Sequence, residues 1–322
     1  MGKRVLVTGA AGFIGSHLAE RLLARGDAVI ALDEFNDYYD PAIKRRNIAE
    51  ARKNERYKLY KADICDEPRL REVFERERPE VVVHLAARAG VRPSIKNPNL
   101  YHRVNVIGSQ HVLDACRDFR PSHLVFASSS SVYGGSTDVP FREDNPVSGP
   151  ISPYAATKRM NELQAHVYSH IYGVNVTMLR FFTAYGPRQR PDMAIHQFTE
   201  RIVEGEPVPM FGDGSTQRDY TYIDDIIDGV ICCVDKPFRY DIFNLGEQHT
   251  TSLRDLIDLI AKCVGKPATI QQLPPQPGDV PITHADIGRA RELLGYNPTF
   301  AMEEGIRRFV AWYLDQRFEN AS

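Results

Sequence analysis

The stretch that decides the fold is RVLVTGAAGFIGSH, residues 4–17. A short apolar run is followed by Gly9, Gly12 and Gly15 and then by a helical pattern, which predicts a strand, a tight turn and a helix. Glycines at such a turn let the backbone approach a pyrophosphate, which the N–H groups at the helix N-terminus then bind. The spacing is GxxGxxG rather than the general GxGxxG. We therefore predict a dinucleotide site, with a purely structural glycine turn as the alternative.

Asp33 stands at the end of the next predicted strand, AVIALD. A carboxylate at this place can accept hydrogen bonds from the adenosine ribose hydroxyls and repels a 2′-phosphate. The sequence therefore favours NAD over NADP as the cofactor. The alternative is that Asp33 merely ends the strand.

Outward from this stretch, short apolar runs such as VVVHLA and HLVFASS alternate with helix-length segments such as EPRLREVFERERP. This alternation predicts an α/β fold with a Rossmann-type doubly wound parallel sheet. After about Tyr185 the chain becomes richer in Pro, Gly and charge, which indicates a smaller mixed α/β substrate-binding domain. We expect the cofactor-binding domain at 1–180, with a return of 219–246 that adds YDIFNLG as a last strand, and mainly the substrate-binding domain at 181–322.

Composition excludes several classes of protein. The 322 residues are 43% hydrophobic and 25% charged, with a formal net charge of −2, so we expect no nucleic-acid partner. No apolar run is long enough to span a bilayer, and the start MGKRVLVTG leaves no room for a signal peptide. The five cysteines and ten histidines show no metal-ligand spacing, so we expect no metal site. Scattered thiols indicate a reducing, cytoplasmic location.

The segment SPYAATK, residues 152–158, places Tyr154 and Lys158 four residues apart behind a proline that can begin a helix. Residues at this spacing share one helix face, so both polar groups project into one space. An ammonium beside a phenol lowers the pKa of the phenol. The segment alone fits a catalytic pair or an ordinary surface pair.

Taken together, TGAAGFIG, KADICD, HLAA, SSSSVYG and YAATK resemble the extended short-chain dehydrogenases/reductases, in the order that this family has them. The resemblance covers essentially the whole chain. It implies that Asp63 and Ile64 lie near the adenine, that the HLAA segment lines the dinucleotide and that Asn105 supports the cofactor region. The residues expected at NAD are Gly9, Gly12, Phe13, Ile14, Gly15, Asp33, Asp63, Ile64, Ala86, Ala87, Asn105, Tyr154 and Lys158.

The resemblance also implies the catalytic residues. Tyr154 is expected to transfer the proton, and Lys158 to lower the pKa of Tyr154 and hold the nicotinamide ribose. Ser129 is expected to donate a hydrogen bond to the reacting oxygen, with Ser130 nearby at the substrate or, alternatively, in a structural turn. A phenol of ordinary pKa is a poor base at neutral pH, so the neighbouring positive charge gives this assignment a physical reason.

Within this family the chain is most similar to the sugar-nucleotide epimerases, which keep NAD bound while they oxidise and re-reduce one substrate. The resemblance implies that a transient 4-keto sugar turns in the site, so that hydride returns to its opposite face. FGDGSTQRDY resembles the nucleotide-binding strand, which assigns Phe211 to uracil and Arg218 to the diphosphate of a UDP-sugar. Asp279 is expected at the uridine ribose. A core position for Phe211 and a structural ion pair of Arg218 near Asp219 are the alternatives.

Three segments resemble UDP-glucuronate 4-epimerases: EFNDYYDP (34–41), RAGVRPS (88–94) and RFFTAYGPRQRPDMA (180–194). A substrate carboxylate needs a cationic partner, and the planar guanidinium suits it. By resemblance, Arg190 holds that carboxylate and Thr183 assists. The expected product is UDP-galacturonate. A solvated basic loop, and a threonine that only ends a strand, are the alternatives.

The chain also departs from these epimerases. Arg188 and Gln189 stand where they more often carry an aromatic residue and glycine, and Gln276 stands where many relatives carry a phosphate-binding arginine. Similar PRQ sequences occur in UDP-glucose/UDP-galactose 4-epimerases, which are the main alternative.

The serine run at 128–131 lacks the glutamate of UDP-glucuronate decarboxylases, so we expect epimerisation without loss of carbon dioxide. A decarboxylase and a non-catalytic NAD-binding protein are further alternatives. By resemblance a homodimer is expected. The amphipathic helices 97–119 and 152–172 are candidates for the contact, and the alternative is that their apolar faces only cover the sheet.

Overall fold

The computed structural model describes residues 2–275 and 279–321. The strands are β1 Arg4–Thr8, β2 Ala28–Asp33, β3 Tyr57–Lys61, β4 Val81–His84, β5 His123–Ser129, β6 Val176–Phe181, β7 Thr183–Tyr185, β8 Val208–Phe211, β9 Gln217–Tyr222, β10 Tyr240–Leu245, β11 Thr250–Ser252 and β12 Ile270–Leu273.

The helices are α1 Phe13–Ala24, α2 Pro41–Asn47, α3 Glu67–Glu77, α4 Val91–Lys96, α5 Pro98–Tyr101, α6 Ser109–Phe119, α7 Pro153–Tyr172, α8 Ala194–Glu204, α9 Ile223–Asp235, α10 Leu253–Val264, α11 Gly288–Leu294 and α12 Met302–Ala321. Short 3₁₀ segments lie at Ala51–Lys53 and Ser130–Tyr133, and a π-helical turn spans His102–Gly108.

The main sheet of the described residues is parallel, in the order β10–β6–β5–β4–β1–β2–β3. From β1 the chain adds β2 and β3 on one side, and it then returns to add β4, β5, β6 and β10 on the other side. This reversal of strand order opens a crevice beyond the carboxyl ends of β1 and β4, where ligands bind in doubly wound sheets. The predicted Rossmann-type fold is confirmed, and β10 is the predicted last strand.

Hydrophobic side chains project from both faces of the sheet, because successive residues of a strand point in opposite directions. Val5 and Val7 of β1 belong to one buried cluster, which includes α1 and α9. Leu6 between them belongs to a second cluster, which includes α3, α6 and α7. Burial on both faces explains why β1 and β4 read as continuous apolar runs.

The smaller sheets carry the other wall of the crevice. One has the order β11–β9–β7 and the other pairs β12 with β8. The division at residue 180 and the return of 219–246 stay predictions. Within that return, α9 packs on the main-sheet side and β10 joins the main sheet, whereas 219–222 belong to β9 of a smaller sheet.

Among the described residues, no helix is both long and apolar enough to cross a membrane.

Candidate active site

The glycine turn after β1 is closed so tightly that side chains do not fit in it. Gly9 has φ +71°, and a Cβ added there would lie 2.9 Å from the backbone nitrogen of Ala86. A Cβ added to Gly15 would lie 2.1 Å from the carbonyl oxygen of Gly9. The first turn of α1 therefore stands directly on the glycine turn, and its N-terminal N–H groups face the crevice end of the sheet.

Asp33 is fixed at the end of β2 by backbone donors. Its carboxylate accepts hydrogen bonds from Ala11 N at 3.0 Å and from Phe35 N at 2.8 Å, one on each oxygen. Each oxygen keeps a further lone pair, so the carboxylate can still accept hydroxyl donors such as those of a ribose.

One cavity of about 580 Å³ collects nearly all the predicted residues at this edge of the sheet. The predicted residues that line it are Gly9, Gly12, Phe13, Ile14, Gly15, Asp33, Asp63, Ile64, Ala86, Ala87, Ser129, Ser130, Tyr154, Lys158, Thr183, Arg190, Arg218 and Asp279. The glycine turn, the Asp33 carboxylate and the length of the cavity, which continues to Lys158, fit a dinucleotide such as NAD.

Asn105 acts from behind the cavity wall rather than on its surface. It is fully buried, its Oδ1 accepts from Arg88 N at 2.7 Å, and its Nδ2 donates to Arg88 O at 2.9 Å and to Thr157 Oγ1 at 3.1 Å. These bonds join the loop after β4 to α7. This position fits the expectation that Asn105 supports the cofactor region, and a direct contact of Asn105 with NAD stays a prediction.

The start of α7 aims Tyr154 and Lys158 into the same cavity. Ser152 caps the helix by accepting from Ala155 N at 3.1 Å, and Pro153 occupies its first turn. The backbone N–H of Tyr154 donates to Ser94 Oγ at 3.1 Å. Both side chains line the cavity, so the pair is not an ordinary surface pair.

The serine run extends β5 toward Tyr154. Ser129 is the last residue of β5, and its Oγ accepts from Ser131 N at 3.2 Å. Its hydrogen bonding also lowers the pKa of Tyr154, which places the two hydroxyls next to each other. The geometry can hold an oxygen atom between a serine hydroxyl and a phenol.

The pKa of Tyr154 is raised, because burial outweighs the opposing hydrogen bond from Ser129 and the charge of Arg190. The expected lowering by Lys158 is not found here and is corrected. The ammonium of Lys158 donates to Ala127 O at 2.7 Å, and burial lowers its own pKa to about 8 against the opposing charge of Glu162.

A buried ion pair that the sequence did not reveal lies beneath the serines. Arg180 donates through Nε to Glu162 Oε1 at 2.8 Å and through Nη2 to Oε2 at 3.0 Å, and both side chains are at most 1% exposed. Ser128 Oγ donates to Glu162 Oε1 at 2.7 Å. Because Glu162 lies one turn after Lys158 on α7, this pair fixes the helix against β5 and β6.

Tyr133, next to the serine run, is a packed aromatic residue. Its ring stacks on Phe141 with the centroids 4.5 Å apart, and its hydroxyl donates to Asn244 Oδ1 at 2.8 Å. The hydroxyl also accepts from Arg180 Nη1 at 2.9 Å. The hydroxyl of Tyr133 therefore has both a donor and an acceptor partner inside the fold.

Arg190 lines the cavity but already has a carboxylate partner. Its Nε and Nη2 each donate at 2.8 Å to one oxygen of Asp192. Tyr38 completes the group: its hydroxyl donates to Asp192 Oδ2 at 3.2 Å, and its ring lies 5.5 Å from Arg190 Cζ. Thr183, at the start of β7, lines the same cavity.

Asp279, which also lines the cavity, lies between two arginines. Arg218 Nη2 lies 3.7 Å from Asp279 Oδ1, and Arg92 Nη2 lies 3.4 Å from Oδ2. Arg218 is therefore in an ion pair, as the alternative held, but its carboxylate partner is Asp279. Phe211 is not among the cavity-lining residues but packs against one of them, since the guanidinium of Arg92 lies 5.2 Å from the centre of its ring. Its contact with uracil stays a prediction. Gln276 lies outside the described residues.

The cavity-lining residues Tyr38, Arg92 and Asp192 were missed as site residues, although they lie in or beside the segments that resemble uronate-specific epimerases. Their residue type gave the available signal, since each is a polar or charged residue soon after the carboxyl end of a strand: Tyr38 after β2, Arg92 in α4 after β4, and Asp192 after β7. What the sequence did not reveal is which of them meet.

Comparison with known proteins agrees with this geometry. The model of the family described as "NAD dependent epimerase/dehydratase family" matches residues 5–246. A UDP-glucuronate 4-epimerase of Thermodesulfobacterium geofontis is 44% identical over 308 residues, which are 95% of this chain and 95% of that protein. An uncharacterised protein of Methanocaldococcus jannaschii is 43% identical, over 98% of this chain and 97% of its own.

Two solved structures are similar along nearly the whole chain. The UDP-glucuronic acid 4-epimerase of Bacillus cereus, crystallised with UDP-glucuronic acid and NAD, has a TM-score of 0.92 at 37% identity, covering 97% of this chain and 99% of that one. The UDP-glucose 4-epimerase of Thermus thermophilus, crystallised with NAD, has a TM-score of 0.88 at 33% identity, with the same coverage.

Proposed function

The chain belongs to the NAD dependent epimerase/dehydratase family, and from this we propose that it inverts the 4-hydroxyl of UDP-glucuronate to give UDP-galacturonate, through a transient 4-keto sugar and tightly bound NAD. The observation that carries the proposal is that Arg190 and Tyr154 line one cavity close enough for the charge of Arg190 to lower the pKa of Tyr154. In glucuronate the carboxylate is attached to carbon 5, next to the reacting carbon 4. A cation beside the proton-transferring phenol is therefore where a uronate needs it.

NAD⁺, when bound, supplies the acceptor for the hydride of carbon 4. The residues that would hold it are the glycine turn, Asp33 at the adenosine ribose, Asp63 and Ile64 beside the adenine, and Ala86 and Ala87 along the middle. Lys158 is assigned to the nicotinamide ribose. The bond of its ammonium to Ala127 O leaves two further N–H donors for that ribose.

Tyr154 is assigned the proton transfer with the 4-hydroxyl, and Ser129 the hydrogen bond to the same oxygen. One phenol serves both directions of the reaction, because the proton that it takes in the first half returns in the second. Ser130 lines the cavity beside them. Once NAD and substrate fill the cavity they exclude bulk water from the phenol, so the proton is exchanged with the substrate rather than with solvent.

Arg190 is assigned to the substrate carboxylate, with Thr183 beside it. At the nucleotide end, Arg218 is assigned to the diphosphate and Asp279 to the uridine ribose. Arg92 adds a cation near Asp279 that the sequence-based assignment lacked. A diphosphate carries more negative charge than Asp279, so two arginines there match it better than one.

Epimerisation without decarboxylation is part of the proposal. The serine run at 128–131 offers no acid. Glu162 is the carboxylate in contact with Ser128, but it is fully buried and both its oxygens accept from Arg180. Glu162 is therefore not available to assist loss of carbon dioxide from a 4-keto uronate.

A UDP-glucose/UDP-galactose 4-epimerase is the second candidate. The observation that favours it is the Asp192 carboxylate, which already neutralises much of the charge of Arg190. A decarboxylase or a non-catalytic NAD-binding protein fits less well, because the Ser129, Tyr154 and Lys158 set is complete in one cavity.

We also propose a homodimer. Leu163, Val167 and Ile171 recur along one face of α7 and are 51%, 45% and 63% exposed, and Ile107 beside α6 is 51% exposed. An apolar stripe along α7, with Ile107 in the π-helical turn before α6, suits contact with the same surface of a second copy. The expected cytoplasmic location stays a prediction.

The proposal is tested by supplying the NAD-loaded protein with UDP-glucuronate and, separately, with UDP-glucose, and by following the products by NMR. UDP-galacturonate is expected as the main product. In Arg190→Ala, conversion of UDP-glucuronate should fall about 100-fold while the neutral sugar is unaffected. Preference for UDP-glucose, unchanged in Arg190→Ala, would establish the second candidate. UDP-xylose as the main product would establish a decarboxylase.

A further inference from the structure

We infer that Asp192 and Tyr38 are positioning residues that hold Arg190 by one edge of its guanidinium and leave its other edge for the substrate carboxylate. The inference rests on the proposed function, since it concerns how the site selects a uronate. In this role Asp192 helps Arg190 to bind the substrate carboxylate, whereas a competing Asp192 would hinder that binding.

The hydrogen-bond pattern identifies the two edges. Asp192 accepts from Nε and Nη2 of Arg190, which is the side-on arrangement of a guanidinium and a carboxylate. A guanidinium has five N–H donors, so two on Nη1 and one on Nη2 remain. Those on the outer edge of Nη1 and Nη2 form the end-on pair, which can bind a second carboxylate in the same plane. One arginine can therefore serve Asp192 and the substrate together.

Tyr38 holds Asp192 in this arrangement. Its hydroxyl donates to Asp192 Oδ2 at 3.2 Å while its ring lies 5.5 Å from Arg190 Cζ. The hydroxyl is packed on Gly90, where an added Cβ would lie 3.0 Å away. Tyr38 follows β2 and Asp192 follows β7, so the contact joins the two walls of the cavity.

The charges at this group are compatible with the arrangement. Burial raises the pKa of Asp192, but the hydrogen bonds and charge of Arg190 lower it more, so the net direction is downward and the carboxylate stays ionised at neutral pH. The hydrogen bond from the hydroxyl of Tyr38 acts in the same downward direction. A guanidinium that is fixed before the substrate arrives loses less rotamer freedom on binding.

Asp192 could instead compete with the substrate for Arg190, and the two roles predict opposite results for Asp192→Asn. The amide of Asn at position 192 has an N–H₂ group in place of one carboxylate oxygen. That group faces an N–H donor of Arg190, so the two hydrogen bonds of the pair cannot both form. If Asp192 positions Arg190, binding of a uronate weakens. If Asp192 competes, binding of a uronate strengthens.

The experiment measures the Kd of UDP-glucuronate and of UDP-glucose by calorimetry on the NAD-loaded Tyr154→Phe protein, so that neither ligand is consumed. Asp192→Asn in this background should weaken UDP-glucuronate binding about tenfold, and UDP-glucose binding less than about twofold. Tyr38→Phe, which keeps the ring, should weaken UDP-glucuronate binding about threefold. With Tyr154 intact, Asp192→Asn should raise KM more than it lowers kcat.

Asp144→Asn is the matched control. Arg142 and Asp144 have the same spacing as Arg190 and Asp192 and the same side-on bonds, at 3.1 and 3.4 Å, but both side chains are exposed and neither residue lines the cavity. This variant should bind both ligands as before. Unchanged Tm values for all variants exclude misfolding as the cause.

Equal or tighter UDP-glucuronate binding in Asp192→Asn overturns the inference. If Arg190→Ala loses UDP-glucuronate binding while Asp192→Asn keeps it, the inference alone fails and the proposed function stands. If the protein with Arg190 intact binds both sugars equally, and Arg190→Ala changes neither, the proposed function fails and the inference fails with it.

Discussion

The ammonium of Lys158 on α7 donates a 2.7 Å hydrogen bond to the carbonyl oxygen of Ala127 on β5. A charged group thus lies inside the fold beside the main sheet, 3% exposed. The hydrogen bond survives loss of the proton, because a neutral amine still donates. The charge does not survive it, so the contact can be tested by changing pH.

The first prediction concerns stability against pH. Burial lowers the pKa of Lys158 from 10.5 to about 8, so between these values the unfolded chain binds more protons than the folded chain. The contribution of Lys158 to the free energy of unfolding therefore rises as pH increases from about 8 to 10.5, by about 3 kcal/mol in total. Urea denaturation of the unmodified chain and of Lys158→Met at pH 7 and pH 10 measures this.

Lys158→Met also removes the hydrogen bond to Ala127, but that loss is independent of pH. The difference between the two proteins should therefore change with pH in favour of the unmodified chain. A difference that is the same at both pH values contradicts a lowered pKa for Lys158.

The second prediction concerns the proton-transferring phenol. Tyr154→Phe should lower the epimerisation rate about 10³-fold, because no other group donates or accepts the proton at that position. The amount of NAD bound, measured by mass spectrometry of the intact protein, should stay the same. Tyr133→Phe is the matched control, since this buried phenol bonds to Asn244 and Arg180 instead.

Tyr133→Phe should lose stability, because Asn244 and Arg180 each lose a buried hydrogen-bond partner, and keep turnover once folded. Turnover that persists in Tyr154→Phe removes the assignment of Tyr154 as the proton-transferring residue.

The third prediction concerns the buried pair of Arg180 and Glu162. Glu162→Gln should lower the free energy of unfolding by about 3 kcal/mol or more, because it leaves the guanidinium of Arg180 buried without a counter-charge. Chemical denaturation measures the loss. Glu50→Gln is the control: Glu50 pairs with Lys53 at the surface, where both side chains are about 70% exposed, and it should change stability by less than about 0.5 kcal/mol. Similar losses in both variants would mean that burial adds nothing to this pair.

The parts of the fold and site that the sequence predicted correctly are those with local signals. The glycine turn follows from spacing within residues 4–17, and the shared direction of Tyr154 and Lys158 follows from the helical repeat. The sheet edge then brings these elements together, because parallel strands place their carboxyl ends side by side.

The missed features depend on contacts between distant segments. Arg92 meets Asp279, and Tyr38 meets Asp192, only because the fold brings segments far apart in the sequence together at the sheet edge. The burial of Arg180 and Glu162 has no local pattern either, because charged residues are ordinarily exposed. The same long-range packing decides the pKa of Tyr154, whose raised value reverses the expectation from Lys158 alone.

The last prediction concerns the exposed apolar face of α7. If Leu163, Val167 and Ile171 pack against the same helix of a second copy, Val167→Glu places two carboxylates near the symmetry axis in an apolar contact. Because isolated buried charges are strongly unfavourable, the variant should sediment as a monomer at concentrations where the unmodified chain is a dimer. Lys262→Glu on α10, whose side chain is 71% exposed, is the control and should leave the mass unchanged. An unmodified chain that sediments as a monomer contradicts the homodimer, and a dimer that persists in Val167→Glu places its interface away from this face.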